Sequence, residues 1–188
     1  MKKDRRPTPE EIRAAEGKTI RDVIADDLEV LFCGINPSLY TAAVGHHFAR
    51  PGNRFWPALH ASGFTPRLFA PSEEVQLLGL GLGITNLVPR ATARADQLDA
   101  GELVAGAHRL SRKLARRRPR YLAVLGVQAF RAGFDAPGAA IGLQPRPIAD
   151  TPVWLLPNPS GLNAHFTPTQ LAVEFARLRT TVLLRGGE

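Results

Sequence analysis

Four short apolar runs constrain the fold of this chain more than any other feature. They occupy residues 28–35, 83–88, 121–126 and 153–156, are rich in Val, Leu and Ile, and are bounded by Gly, Pro or Asn. Continuous rather than alternating hydrophobicity is typical of strands that are covered on both faces. With helical segments between them, the runs predict an α/β fold of three layers, αβα, around a mainly parallel sheet of four to five strands.

The segments between these runs carry helical signals. Thr8 and Glu11 have the spacing of a capping box and begin a first helix, which we expect to end at Gly17. The apolar spacing within 20–24 predicts a second, short helix. Residues 102–118 and about 168–183 predict two longer amphipathic helices. The chain therefore alternates strands and helices, as a parallel sheet requires.

The length of 188 residues fits one domain, which we expect at 8–188 after a flexible basic tail at 1–7. The single cysteine, Cys33, excludes disulfides within the chain and metal sites that need several cysteines. Without an apolar leader or an uninterrupted apolar stretch of membrane-spanning length, we expect a cytoplasmic monomer that does not bind membranes.

The charge balance points to an anionic partner. The chain has 24 Lys and Arg against 17 Asp and Glu, a net charge of +7, and nucleic acid is the leading candidate. Six cations lie on the predicted helix 102–118, where they form either a phosphate-contacting ridge or a solvated face whose last turn suits the helix dipole. We favour the solvated face.

Polar segments follow three of the predicted strands, at 34–38, 86–99 and 157–163. In open α/β sheets the ligand binds beyond the carboxyl ends of the strands, so these segments are expected to meet in one site. They are rich in Asn, Ser and Gly, and they contain neither a Cys nor a Ser next to a His. The expected site therefore works with neutral hydrogen-bonding groups.

Two separated motifs carry a resemblance to a known family. Residues 34–56 read GINPSLYTAAVGHHFARPGNRFW, and residues 158–163 read NPSGLN. In this order they resemble the mismatch-specific uracil-DNA and thymine-DNA glycosylases, and the layout of elements agrees from about Leu28 onward. The resemblance implies the uracil-DNA glycosylase fold and an enzyme that flips a nucleotide out of the duplex and cleaves the bond between base and sugar.

The resemblance also implies the chemistry at the end of the first run. Asn36 stands where more active relatives carry Asp, and it would orient the attacking water. An amide cannot deprotonate water, so we expect slow excision that depends on positioning and on stabilising the departing base. The expected reaction is removal of uracil, chiefly opposite guanine, as the first step of base-excision repair.

The base itself is expected to lie between the strand ends. By the family pattern, Phe48 stacks on the flipped base, backbone groups of Ile35 and Phe48 read its polar edge, and Thr41 lies near its C5 face. The size of Thr41 predicts a preference for uracil over thymine and tolerance of some 5-substituted or exocyclic adducts, so thymine or related damaged pyrimidines are the further expected substrates. The predicted base pocket comprises Gly34, Ile35, Thr41, Phe48, Asn86 and Asn158.

The second motif is expected to enter the DNA. In the family Leu162 fills the space that the flipped nucleotide leaves, and an apolar wedge of this kind deforms duplexes. Bacterial relatives often carry an Arg shortly after this Leu, whereas 163–165 reads Asn-Ala-His here, which bears on opposite-base discrimination. The predicted DNA contacts are Ser160, Gly161, Leu162, Asn163 and His165.

Asp96 is a second candidate for a catalytic residue, because it is the acidic residue nearest to a strand-end motif. We hypothesise that it activates or orients water. The alternative is that Asp96 caps the helix that begins near Leu98, with Asp99 as another candidate for that cap.

Other functions fit the sequence less well. His46 and His47 are adjacent, and a metal site needs three or four converging ligands, so we expect no metal. No lysine lies in a strand-end motif, which predicts a monofunctional enzyme without a Schiff base, and the glycines at 79–83 do not complete a dinucleotide loop, so no cofactor is expected. A noncatalytic nucleic-acid-binding domain remains the alternative, since net charge fits it equally well.

Overall fold

The computed structural model describes residues 6–185, so most of the predicted tail at 1–7 lies outside the described residues. In the described part of the chain, five strands form one sheet in the order β2-β1-β3-β5-β4. β1 to β3 and β5 are parallel, and β4 pairs antiparallel with β5 at one edge. The strands are β1 (Val30–Gly34), β2 (Leu82–Asn86), β3 (Tyr121–Leu125), β4 (Gly142–Leu143) and β5 (Val153–Leu156).

Within residues 6–185, six α-helices accompany the sheet, together with two 3-10 helices at Pro71–Leu80 and Ala95–Gln97. Short helices precede or follow the strands, and two long helices, each of 18 residues, cover opposite faces. The α-helices are α1 (Pro9–Arg13), α2 (Leu39–Val44), α3 (Phe55–Ala61), α4 (Ala100–Arg117), α5 (Val127–Gly133) and α6 (Pro168–Arg185).

The two faces of β1 belong to two different cores, which explains its unbroken hydrophobicity. Val30 and Phe32 pack with residues of α3 and α6. Leu31 and Cys33 pack with residues of α4 and α5. Successive side chains of a strand point to opposite faces, so a strand between two helical layers must be apolar throughout. The three-layer αβα fold is confirmed.

Cys33 is fully buried in the second of these cores. Burial disfavours the thiolate and raises the pKa of this thiol to about 12. The side chain is therefore a small apolar core group, as its place in an apolar run predicts.

Two local predictions need correction. The segment 20–24 forms no helix; Val23 instead pairs with Ile84 of β2, donating to its carbonyl at 2.9 Å and accepting from its amide at 2.7 Å. The first helix begins at the predicted capping box of Thr8 and Glu11 but ends at Arg13, in a series of turns that closes at Gly17 with φ of 73°. Short pairings of this kind depend on a partner about sixty residues away, which local periodicity does not report.

Among the described residues, no helix has both the length and the apolar composition that a membrane span requires.

Candidate functional site

The strand ends open into a pocket of about 330 Å³. Gly34 and Asn86 are paired in the register of β1 and β2, and Asn158 follows β5. The three polar segments therefore meet in one pocket, as their positions after parallel strands predict. Ten predicted site residues line this pocket: Gly34, Ile35, Asn36, Thr41, Phe48, Asn86, Asp96, Asn158, Ser160 and Leu162.

The side-chain amide of Asn36 has a fixed orientation. Its Nδ2 donates to the carbonyl oxygen of Arg90 at 3.0 Å and to Thr92 Oγ1 at 2.7 Å, and Thr92 Oγ1 in turn donates to the carbonyl of Arg94 at 2.7 Å. A carbonyl oxygen can only accept, so the amide nitrogen must occupy this side. Oδ1 of Asn36 is then the atom left to accept a hydrogen bond from a group in the pocket.

Thr92 is almost fully buried, and its backbone pairs with Ser38 through a parallel bridge. The segment after β2 is thus fastened to the segment after β1 at the place where Asn36 is held. Thr92 was not predicted as a site residue, because nothing in the sequence of the 86–99 segment distinguishes this threonine from its neighbours.

Phe48 occupies a strained backbone conformation that presents its ring to the pocket. Its φ is 54°, a value that costs energy in a residue with a side chain. The ring stacks on Phe55 with centroids 4.1 Å apart and planes inclined by 27°. A Cβ at position 34 would lie 3.2 Å from Phe48 Cζ and 2.6 Å from Asn86 Oδ1. Only glycine at position 34 leaves room for both side chains.

The loop before Phe48 is held by Glu74 of the first 3-10 helix. One carboxylate oxygen meets His46 Nδ1 at 3.0 Å, and the other accepts from the backbone amide of His47 at 2.7 Å. Trp56 Nε1 donates to the carbonyl of His47 at 3.1 Å. Glu74 was not predicted, since it lies 27 residues from the backbone that it holds.

His47 is buried, and its Nε2 lies 2.9 Å from the carbonyl oxygen of Arg21. Because a carbonyl accepts, Nε2 carries the proton. Burial lowers the pKa of the ring, so it is neutral at physiological pH. Among the described residues, no group of three or more His, Cys, Asp or Glu side chains is placed to hold a metal ion.

Thr41 is buried at the start of α2, and its backbone amide donates to Ser38 Oγ at 3.2 Å. Ser38 is the N-cap of this helix, which follows the first motif directly. The cap fixes the direction in which α2 leaves the strand, and with it the position of Thr41 in the pocket lining.

Asp96 lines the pocket at its solvent side. Its two carboxylate oxygens accept from Arg94, at 3.0 Å from Nε and 2.7 Å from Nη2, and 64% of its side chain is exposed. It is not the cap of α4: that role belongs to Asp99, whose Oδ1 accepts from the amide of Glu102 at 2.8 Å. The alternative prediction for Asp99 is confirmed.

The second motif forms a turn that its asparagines stabilise. Asn158 Oδ1 accepts from the amide of Ser160 at 2.9 Å, and Asn163 Nδ2 donates to the carbonyl of Asn158 at 2.9 Å. A Cβ on Gly161 would lie 2.5 Å from the carbonyl oxygen of Gly52, so here the backbone of the second motif touches the first. Asn163 and Gly161 therefore shape the loop from beside the pocket.

Arg54 joins the two motifs. Its Nη1 donates to the carbonyls of Phe166 at 2.6 Å and Asn163 at 3.2 Å, and its Nη2 approaches that of Gly161 at 3.4 Å. Its backbone amide donates to Pro159 at 2.9 Å. Arg54 was part of the quoted motif without a predicted role, because its partners lie more than a hundred residues away.

The exposed residues of the loop include Leu162 and His165. Leu162 is 72% exposed, although it also lines the pocket. His165 is exposed, and its amide donates to Asn163 Oδ1 at 3.0 Å. His165 lies outside the pocket lining.

Comparisons with known proteins agree with this architecture. The family model of the uracil DNA glycosylase superfamily matches residues 21–178. A solution NMR structure from Methanosarcina acetivorans, of a protein with a provisional assignment as a uracil DNA glycosylase, is similar in fold with a TM-score of 0.58 at 18% identity, over 87% of this chain and 98% of that one. The family match spans both motifs and every strand of the sheet, and the chain belongs to the uracil DNA glycosylase superfamily.

Proposed function

We propose that this protein is a monofunctional DNA glycosylase that hydrolyses the N-glycosidic bond of uracil in mismatched double-stranded DNA, chiefly in G·U pairs. Uracil removal would begin base-excision repair. The observation that carries the proposal is the side chain of Asn36, which two acceptors hold at the end of β1 in a pocket that it shares with the aromatic ring of Phe48.

The pocket suits a flipped pyrimidine. Phe48 offers a ring already fixed by stacking on Phe55, so little conformational freedom is lost when a base stacks on it. Asn86 and Asn158 supply amide groups at two further sides of the pocket. Thr41 is proposed to lie beside C5 of the flipped base. The methyl group of thymine has less room there than the hydrogen of uracil, so uracil is preferred.

In the proposed reaction Asn36 Oδ1 accepts a hydrogen bond from a water molecule and directs its oxygen at C1′. The bond from C1′ to the base breaks, the base leaves with the bonding electrons, and the water oxygen becomes the new substituent of the sugar. The proton released from the water neutralises the departing base or passes to solvent. Because Asn36 orients water without taking its proton, excision is slow compared with an enzyme that has a general base.

The loop after β5 is the proposed DNA-entering element. Leu162 replaces the flipped nucleotide in the stack, and the small and polar residues around it contact the opposite base or nearby phosphates. The exposure of Leu162 suits this role, because moving an apolar side chain from water into a base stack is energetically favourable. The other proposed DNA contacts are Ser160, Gly161, Asn163 and His165.

The test is incubation with a labelled duplex that carries one G·U pair, in the presence of a chelator, followed by alkaline cleavage of abasic sites. Strand scission at the uracil position after alkali, and none before it, is expected. Parallel G·T and single-stranded uracil substrates measure the base and mismatch preferences, and thymine excision as fast as uracil excision would contradict the role of Thr41. No product at stoichiometric enzyme would favour a noncatalytic DNA-binding domain.

A further inference from the structure

The basic helix α4 and the residues that directly follow it carry two groups of cations with different surroundings. The first group faces the segment 22–29, whose acidic residues pair with cations near the end of the helix in a regular series. Each pair joins residues 91 positions apart in the chain. The pairs are Lys113 with Asp22, Arg117 with Asp26 at 2.8 Å, Arg118 with Asp27 at 3.3 Å and Arg120 with Glu29 at 3.0 Å.

The second group consists of Arg109, Arg112 and Arg116. Their spacing of three and then four places them on one side of α4. Within residues 6–185, no hydrogen bond or ion pair is formed by any of the three guanidinium groups. The acidic series thus neutralises one part of the helix and leaves the other part charged.

These three arginines line a second pocket, of about 480 Å³. Lys113 and Asp22 are also in its lining, where their opposite charges cancel, and Thr85 hydrogen-bonds to both, at 2.7 Å from Lys113 Nζ and 2.8 Å from Asp22 Oδ1. The pocket therefore keeps an excess of three positive charges. Glu102 is near enough to Arg109 for a weak attraction, but its carboxylate is bound by Arg90, the main reason that its pKa is lowered to about 2.

Three like charges in one concave surface repel each other and raise the local positive potential. An arrangement of this kind favours a polyanion, and the planar fork of arginine matches the oxygens of a phosphate. Thr19 and Asn86 add neutral hydrogen-bonding groups to the lining. The chemistry of the pocket fits phosphate better than a carboxylate-bearing metabolite with a single charge.

We propose that this second pocket is a phosphate subsite. Asn86 lines both pockets, so the subsite begins where the pocket for the base ends, at the carboxyl end of β2. A DNA strand that leaves the base pocket carries a phosphate at each nucleotide and reaches the three arginines along this edge of the sheet. That the bound phosphate belongs to DNA rests on the proposed function. A free polyphosphate offers the same phosphate oxygens and is the alternative ligand.

Two double variants of α4 separate the two groups of cations while removing the same charge. R112Q/R116Q removes two arginines of the subsite, and R117Q/R118Q removes two that pair with the acidic series. Binding is measured to a duplex with a tetrahydrofuran abasic site opposite guanine, from 50 to 200 mM NaCl. Thermal unfolding of both variants checks that they fold.

Each phosphate contact contributes about 0.9 to the slope of log Kd against log salt, so R112Q/R116Q should reduce the slope by about 1 to 2. Between 50 and 200 mM NaCl, the Kd of R112Q/R116Q should therefore rise by a factor about tenfold smaller than the Kd of the unmodified protein. R117Q/R118Q should keep the slope of the unmodified protein. Equal slopes in all three proteins would exclude the DNA backbone as the ligand.

A second measurement covers the free ligand: binding of tripolyphosphate to the DNA-free protein, followed by phosphorus NMR. Tripolyphosphate binding that R112Q/R116Q abolishes, with unchanged DNA slopes, supports a subsite for free polyphosphate. Equal slopes together with no tripolyphosphate binding would overturn the proposal and leave a solvated helix face. Uracil excision by the unmodified protein is assayed in parallel, so a reduced slope without excision contradicts the glycosylase and not the subsite.

Discussion

The two motifs that form the candidate site are held in opposite ways. In the first motif, buried partners fix each functional side chain: Thr92 and the Arg90 carbonyl hold Asn36, and Phe55 supports the ring of Phe48. In the second motif, the loop at 158–166 holds itself through its asparagines and depends on Arg54 for its attachment. Its most apolar side chain, Leu162, has little protein around it.

This difference matches what the two motifs are proposed to do. A group that orients water must stay within a fraction of an ångström of one position, so its supports belong in the protein interior. A side chain that replaces a base must be exposed before binding and buried after it, so its support is a backbone anchor that leaves the side chain free. The comparison predicts that changes to Asn36 or to the residues that hold it affect all substrates, whereas changes to the loop at 158–166 or to its anchor Arg54 affect duplex DNA selectively.

The largest effect is expected from Asn36→Ala. It removes the proposed water-orienting oxygen, and losing one positioned polar group of this kind costs about 100-fold or more in rate. Duplex and single-stranded uracil should lose the same factor in single-turnover excision. Thr92→Val keeps Asn36 but removes one of its two anchors and should cost about 10-fold, the value of one buried hydrogen bond. A loss confined to duplex DNA would contradict the assignment of Asn36 to the chemical step.

Arg54→Ala should follow in size. The guanidinium donates to three carbonyls of the loop, and hydrogen bonds from a charged donor are worth about 1.5–3 kcal/mol, or roughly 30-fold in duplex excision. Single-stranded uracil should lose less than about 3-fold, because no base has to be replaced in a stack. Hydrogen exchange of residues 158–167 should accelerate in the variant. Arg54→Lys keeps the charge but not the fork, and should recover part of the duplex rate.

The sequence placed Arg54 in a motif but did not predict its contacts with the distant loop. The same holds for other features that depend on distant partners. The four long strands were predictable within a few residues, because burial on both faces leaves a continuous apolar run. The two-residue β4 and the pairing of Val23 with Ile84 were not, since neither changes the local pattern.

The same division applies to the site. Gly34, Asn86 and Asn158 meet because the carboxyl ends of parallel strands share one edge, and that follows from sequence order alone. The supports do not follow from it: Thr92 lies 56 residues from Asn36, and Glu74 lies 27 residues from His47. Their contacts depend on how loops pack, which residue type and spacing do not encode.

Leu162→Ala tests the exposed end of the second motif. Loss of the apolar side chain should slow duplex excision by about 10-fold, since unstacking a base step costs a few kcal/mol and the wedge offsets part of that cost. Single-stranded uracil should be excised at the rate of the unmodified protein. Leu68→Ala is the matched control, because Leu68 is 54% exposed and outside the pocket lining. An equal loss on both substrates would mean that Leu162 acts on the flipped base and not on the duplex.

Asp96→Asn should have the smallest effect. It tests whether Asn36 orients the water without help from a carboxylate. Arg94 holds both carboxylate oxygens of Asp96, and most of this side chain is in solvent, where an ion pair contributes about 1 kcal/mol or less. We therefore expect a change in single-turnover excision of less than about 5-fold, on duplex and single-stranded DNA alike. Arg94→Gln separates the two explanations: it frees the carboxylate, so a catalytic Asp96 would make this variant faster at neutral pH, and Asp96→Asn in the same background would abolish the gain. A loss of more than about 10-fold in Asp96→Asn alone would establish Asp96 as a group that acts on the water, because a general base is worth at least that much.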